Sequence, residues 1–159
     1  IEVLVFLRPL GLRLGTAAAH SGQDWGNTYA EVDMSAQHMW YVQNGQVVLE
    51  TDVVTGEPIP SKITPEGVYS LMWKQPNSVL VGDINPDTGE PAYRTKVKYW
   101  MQVTSSGVGF HDATWQTAFG GTLYQIPGTG SHGCINMPLD QAGALFNMIE
   151  PGTPVIFHW

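Results

Sequence analysis

The strongest constraint on the fold is a single dipeptide, Asn44-Gly45, set between two β-forming runs, residues 38–43 (HMWYVQ) and 46–54 (QVVLETDVV). Both residues tolerate positive φ, which a two-residue type I′ turn requires, so the segment reads as a β-hairpin. Just upstream, residues 29–34 (YAEVDM) place Tyr29, Glu31 and Asp33 opposite Ala30, Val32 and Met34, the period of a strand. Further strands are predicted over residues 67–74, 97–103, 107–110 and 155–159. Only residues 137–150 (MPLDQAGALFNMIE) read as a helix, with Leu139, Ala142, Leu145, Phe146 and Ile149 at three- and four-residue spacing. Pro138 suits its first turn and Pro151-Gly152 its end. The expectation is a mostly β domain with one or two helices.

A chain of 159 residues with 43% hydrophobic content can bury one substantial core. A formal charge of −7 argues against nucleic acid, whose phosphates call for clustered Lys and Arg. No run of about 18 apolar residues is present, so no membrane span is expected. Residues 1–22 open on Ile1 and place their apolar run ahead of Arg8 and Arg13, the reverse of a signal peptide. They read as an extension, either the tail of a preceding region or an added segment, with a first strand as the alternative; the domain is then 23–159. Residues 75–94 (QPNSVLVGDINPDTGEPAYR) carry turn chemistry throughout and read as a long connection or protruding hairpin, a possible lid over a site.

The chain has one cysteine, Cys134, inside GTGSHGCINMPLD (residues 128–140). It has no intrachain disulfide partner, and its neighbours are poor core formers. It can be a small buried hydrophobe, a metal ligand together with His111 and His132, or a nucleophile. The last reading is supported by position. The loop leads into the predicted helix, whose free N–H groups and dipole favour a thiolate, and Gly133 lets the backbone bend so that amides face a developing oxyanion. A nucleophile needs a base. Of the five histidines, His111 lies at the end of a strand and His132 is two residues from the thiol. His20, His38 and His158 read as ordinary strand or surface residues. Beyond Lys98 there is no Lys or Arg, so a basic residue near Cys134 has to come from a distant part of the chain, such as Arg94, Lys96 or Lys98.

SHGCIN at 131–136, preceded by GFHDATW at 109–115, closely resembles the signature of the L,D-transpeptidase catalytic domain, also called the YkuD domain. The similarity runs from about Thr28 to Trp159. One departure is the 19 residues between His111 and Ser131, slightly more than the family's usual spacer, which lengthen the loop over 119–130. The resemblance implies packed mixed β-sheets, sandwich- or barrel-like, with the cysteine in a narrow groove. It also implies that Cys134 attacks a peptidoglycan tetrapeptide stem at its third residue, releasing D-Ala and leaving a thioester. A neighbouring stem then resolves that thioester into a 3→3 cross-link. In this scheme His111 is the base, its ring oriented by a backbone carbonyl around Asp112. Gly133 and Cys134, with His132, hold the oxyanion. Ser131, Asn136, Asp112 and Trp115 shape the loop and groove. Stem peptides are the implied partners and carbapenem β-lactams the implied covalent inhibitors. No cofactor or metal is implied, and the location is the cell wall, outside the cytoplasmic membrane. Hydrolysis as an L,D-carboxypeptidase and a non-catalytic wall-binding module are the alternatives. A sortase-like reading fails for want of an arginine after the cysteine, and a papain-like one because the order of Cys and His is reversed.

Overall fold

The computed structural model describes residues 25–159; the reading of residues 1–22, and of His20, falls outside them. Among the described residues nine strands form two sheets. The first has the order β3-β2-β1-β9-β4, from Tyr29–Asp33 (β1), His38–Gln43 (β2), Gln46–Asp52 (β3), Gly67–Ser70 (β4) and Pro154–His158 (β9). The second runs β5-β6-β7-β8, from Trp73–Val81 (β5), Arg94–Gln102 (β6), Gly109–Asp112 (β7) and Ile135–Met137 (β8). Both sheets are mixed, since β1 pairs with β9 and β7 with β8 in parallel while the other pairs are antiparallel. A mostly β architecture of packed mixed sheets is therefore what the chain adopts.

The alternation predicted for 29–34 divides β1 between two environments. Ala30 and Val32 join Met39, Tyr41, Met101, Phe110, Ile135 and Phe157 in one core that both sheets share. Tyr29 packs on the other face with Val42 and Ile156. The Asn44-Gly45 hairpin forms as expected, with φ of 52° and 81° at its two central residues, joining Gln43 to Gln46 across the turn. The one α-helix among the described residues, Leu139–Met148 (α1), turns Ala142 and Leu145 into the shared core, followed by Ile149 at its C-cap. Its last turn is closed from outside, where Lys74 Nζ donates to the Phe146 carbonyl at 2.8 Å.

Two expectations change. Residues 75–81, read as part of a connection, are strand. Pro76 and the positive φ of Asn77 (54°) sit within β5 because it is an edge strand, where a missing N–H costs no ladder bond on the open side. The protruding hairpin is thus β5–β6, with its tip over residues 82–93. The segment 67–74, read as one strand, breaks at Leu71-Met72, where the chain leaves the first sheet for the second.

On the outer face of β1, the buried Glu31 carboxylate meets His158 Nε2 at 2.9 Å. This hydrogen bond raises His158 above the usual histidine value, against the opposing effect of burial. A raised folded-state value stabilises the fold fully below about pH 6.5, and that contribution is lost as pH rises through the folded value. Melting temperature is expected to fall between pH 6 and 9, and His158→Gln to flatten that dependence and lower the pH 6 value by roughly 5 °C. An unchanged slope in the variant would remove His158 from the account.

Candidate active site

The parallel pairing of β7 with β8 assembles the site. Its register sets Phe110 opposite Ile135, His111 opposite Asn136 and Asp112 opposite Met137. Asn136 on β8 shares a face with His111 on β7, and Cys134, just ahead of β8, lines the same cleft. Parallel neighbours cannot be joined by a tight turn; they need a crossover of a dozen or more residues. Residues 113–134 are that crossover, which is the physical reason for a spacer between the histidine and the cysteine.

His111 is buried, and its Nδ1 lies 2.8 Å from the Asp112 carbonyl. That oxygen can only accept, so Nδ1 carries the proton and Nε2 is left as the basic nitrogen. Indoles lie on two sides, Trp100 with its ring centroid at 6.0 Å and Trp115 at 5.9 Å. Burial lowers the His111 pKa despite the Asp112 contacts, so the ring is neutral at neutral pH.

The thiol is neutral too. Burial pushes Cys134 up to about 11, against the pull of the Gly109 amide, and Sγ lies 3.5 Å from the Gly107 carbonyl. This corrects the expectation of a thiolate held by a helix end. The strand β8 intervenes between Cys134 and α1, which begins only at Leu139 behind Pro138, and the dipole's effect is confined to the first turn. Arg94, Lys96 and Lys98 do not compensate, because all three point to solvent from β6.

The loop that carries Cys134 is held by contacts remote in sequence. Ser131 Oγ donates to the Cys134 carbonyl and accepts the Gly133 N–H at 3.0 Å. Gly133 has φ of 130°, a conformation that a side chain rarely adopts. Its carbonyl receives Thr64 Oγ1 at 2.7 Å, and that hydroxyl accepts the Gly56 N–H at 2.9 Å. The Gly133 amide is therefore already engaged. The Cys134 N–H, by contrast, has no hydrogen-bond partner among the described residues. The loop over 119–130 is fastened by Glu57, whose carboxylate accepts the Gly128 N–H at 2.9 Å and pairs with Lys62 at 3.2 Å.

His111, Trp115, Ser131, His132, Cys134 and Asn136 all line one cleft of about 170 Å³. His132 is exposed and lies against Tyr93, with ring centroids 4.7 Å apart. Asn136 Nδ2 donates to Gln116 Oε1 at 2.6 Å. Asp112 is turned away: its carboxylate accepts the Lys98 and Tyr99 amides at 2.9 and 2.8 Å. Among the described residues no group of His, Cys, Asp and Glu side chains is placed to hold a metal ion. Tyr93, Thr64 and Glu57 were not legible as site residues. Thr64 lies 69 positions from the glycine it holds, and no local pattern marks such a contact.

Residues 27–157 match the family model of the L,D-transpeptidase catalytic domain, YkuD. The chain belongs to this family. Among solved structures, it is similar to the catalytic domain of the Enterococcus faecium L,D-transpeptidase acylated by ertapenem, with 45% identity and a TM-score of 0.71 over 86% of this chain and 100% of that one. It also resembles a longer structure of the Enterococcus faecium L,D-transpeptidase, with 44% identity and a TM-score of 0.74 over 84% of this chain and 50% of that one. L,D-transpeptidase 1 of Mycobacterium tuberculosis is 29% identical over 89% of the chain and 55% of its own length. The chain thus spans about half the length of the curated relatives it matches. In this L,D-transpeptidase domain His111 and Cys134 line one cleft, and burial favours the neutral form of both.

That neutrality sets the reactivity of the thiol toward a reagent needing no base. Alkylation of Cys134 by iodoacetamide is expected to rise about tenfold per pH unit from 7 to 10, without a plateau below pH 10. A rate constant flat between pH 6 and 9 would show a preformed thiolate instead.

Proposed function

We propose that this domain forms 3→3 peptidoglycan cross-links by way of a Cys134 thioester. The observation that carries the reading is the His111 ring. Its Nδ1 is tied to the Asp112 carbonyl, and the ring lines the same cleft as the thiol. As Sγ attacks the carbonyl of the third stem residue, Nε2 takes the thiol proton. The tetrahedral oxyanion is met by the unengaged Cys134 N–H; Gly133 contributes its own amide only by giving up Ser131 Oγ. When the C–N bond breaks, the imidazolium returns its proton to the departing D-Ala amine and leaves the thioester. An acceptor amine then attacks, gives its proton to Nε2, and the C–S bond breaks with the thiol restored.

Ser131 is a positioning residue for the Gly133–Cys134 turn, and Asp112 one for β6 beneath the site. His132, exposed against Tyr93, forms the rim. Stem peptides are the substrates, carbapenems acylate Cys134, and the site of action is the cell wall outside the cytoplasmic membrane. Two features support the covalent step: the family match and the ertapenem-acylated state of the Enterococcus faecium domain.

The test is intact-protein mass spectrometry with a carbapenem, followed by incubation with disaccharide-tetrapeptide. Wild type is expected to gain one adduct, and Cys134→Ala none. His111→Ala is expected to slow acylation by about 10²–10⁴, while His132→Ala stays within about tenfold of wild type. Because His111 must be neutral to act and its pKa is lowered, acylation holds steady from pH 8 to 6.5 and falls only in more acidic buffer. Loss of acylation in His132→Ala alone would reverse the choice of base. Cross-linked dimers as product identify transfer, and tripeptide alone identifies the L,D-carboxypeptidase reaction.

A further inference from the structure

Three clefts open onto Cys134, and they differ in what lines them. His111 faces only the one containing Asn136 and Trp115. A second, of about 420 Å³, runs along β5 past Gln75 to Trp100. The third, of about 470 Å³, lies between the hairpin tip at Asp83 and the segment carrying Ser61 and Ile63. No lysine or arginine lines any of the three, and Asp83 is the one carboxylate among their lining residues.

Proton traffic assigns the clefts. If the chain acts as proposed above, the departing amine takes its proton from His111 and the incoming amine gives one back. Both amines therefore occupy the histidine's cleft, and the acyl half of the donor points away from it. Of the two remaining clefts, only the third is charged. Asp83 is held on a laddered base: its carbonyl accepts the Ala92 N–H at 2.8 Å, and the Gly82 N–H donates to the Tyr93 carbonyl at 3.0 Å. Tyr93 lines all three clefts, so the carboxylate sits beside the ring that borders the thiol.

We propose that the third cleft receives the side chain of the residue whose carbonyl Cys134 attacks, and that Asp83 selects side chains ending in a cationic nitrogen. A lysine ammonium is attracted there. A diaminopimelate side chain carries an additional carboxylate that meets Asp83 with no lysine or arginine lining the cleft, and it is disfavoured. Asp83 is exposed, so its attraction is that of a surface pair, worth a few-fold in rate rather than orders of magnitude.

The experiment compares kcat/KM for donor tetrapeptides differing only at the third residue: L-lysine, L-norleucine and meso-diaminopimelate. Wild type is expected to favour lysine over norleucine by about fivefold and over diaminopimelate by more. Asp83→Asn is expected to equalise lysine and norleucine, and Asp83→Lys to shift the preference toward diaminopimelate. Indifference of the wild type, or a lysine preference that survives in Asp83→Asn, overturns the inference. A carbapenem adduct on Cys134 in the same preparations keeps the two levels apart. With the adduct present and no Asp83-dependent preference, this inference alone fails. With no adduct and no turnover of any donor, the transpeptidase reading fails and takes this inference with it.

Discussion

The parallel contact between Gly109–Asp112 and Ile135–Met137 is the constraint on which the site depends. It aligns two short segments far apart in sequence so that their chemistry-bearing side chains share a face. Each segment is fixed from its other side as well. Asp112 binds the amides of Lys98 and Tyr99, locking β7 to β6, and Asn136 exchanges backbone hydrogen bonds with Val54, locking β8 to the first sheet's connection. A cysteine just ahead of a three-residue strand at a sheet edge would otherwise have little to hold its position. Here both of its neighbours in space are hydrogen-bonded at spacings of 2.8 to 3.0 Å.

The electrostatic character of the site follows from the same enclosure. Burial raises the cysteine and lowers the histidine, and both shifts favour the uncharged pair. Under the proposed function Cys134 is a thiol kept in reserve, turned into a nucleophile only as its proton moves to Nε2. A neutral pair of this kind is expected to resist adventitious alkylation and oxidation, which act on thiolates.

Much of this was legible in the residues. The Asn44-Gly45 turn, the alternation over 29–34 and the single helical period at 137–150 are local signals, and the fold obeys them because each agrees with the burial its neighbours supply. The SHGCIN and GFHDATW motifs marked His111 and Cys134 by type and order. What was hidden depends on long-range geometry. Ile135–Met137 is too short to show a period and reads as loop, so the helix seemed to follow the cysteine directly. Residues 75–81 are rich in turn formers, yet an edge position tolerates Pro76 and Asn77. Thr64, Glu57 and Tyr93 acquire roles only because the 54–64 segment and the hairpin tip close over a loop that lies tens of residues away.

The central claim is that His111 rests as a neutral, Nδ1-protonated imidazole beside a neutral thiol. Nitrogen-15 NMR of histidine-labelled protein reads this directly, with His111→Gln assigning the signal. The account predicts one protonated and one unprotonated ring nitrogen for His111 throughout pH 6.5 to 9. Two protonated nitrogens at pH 7, lost together in Cys134→Ala, would reveal a resting thiolate–imidazolium pair and contradict it.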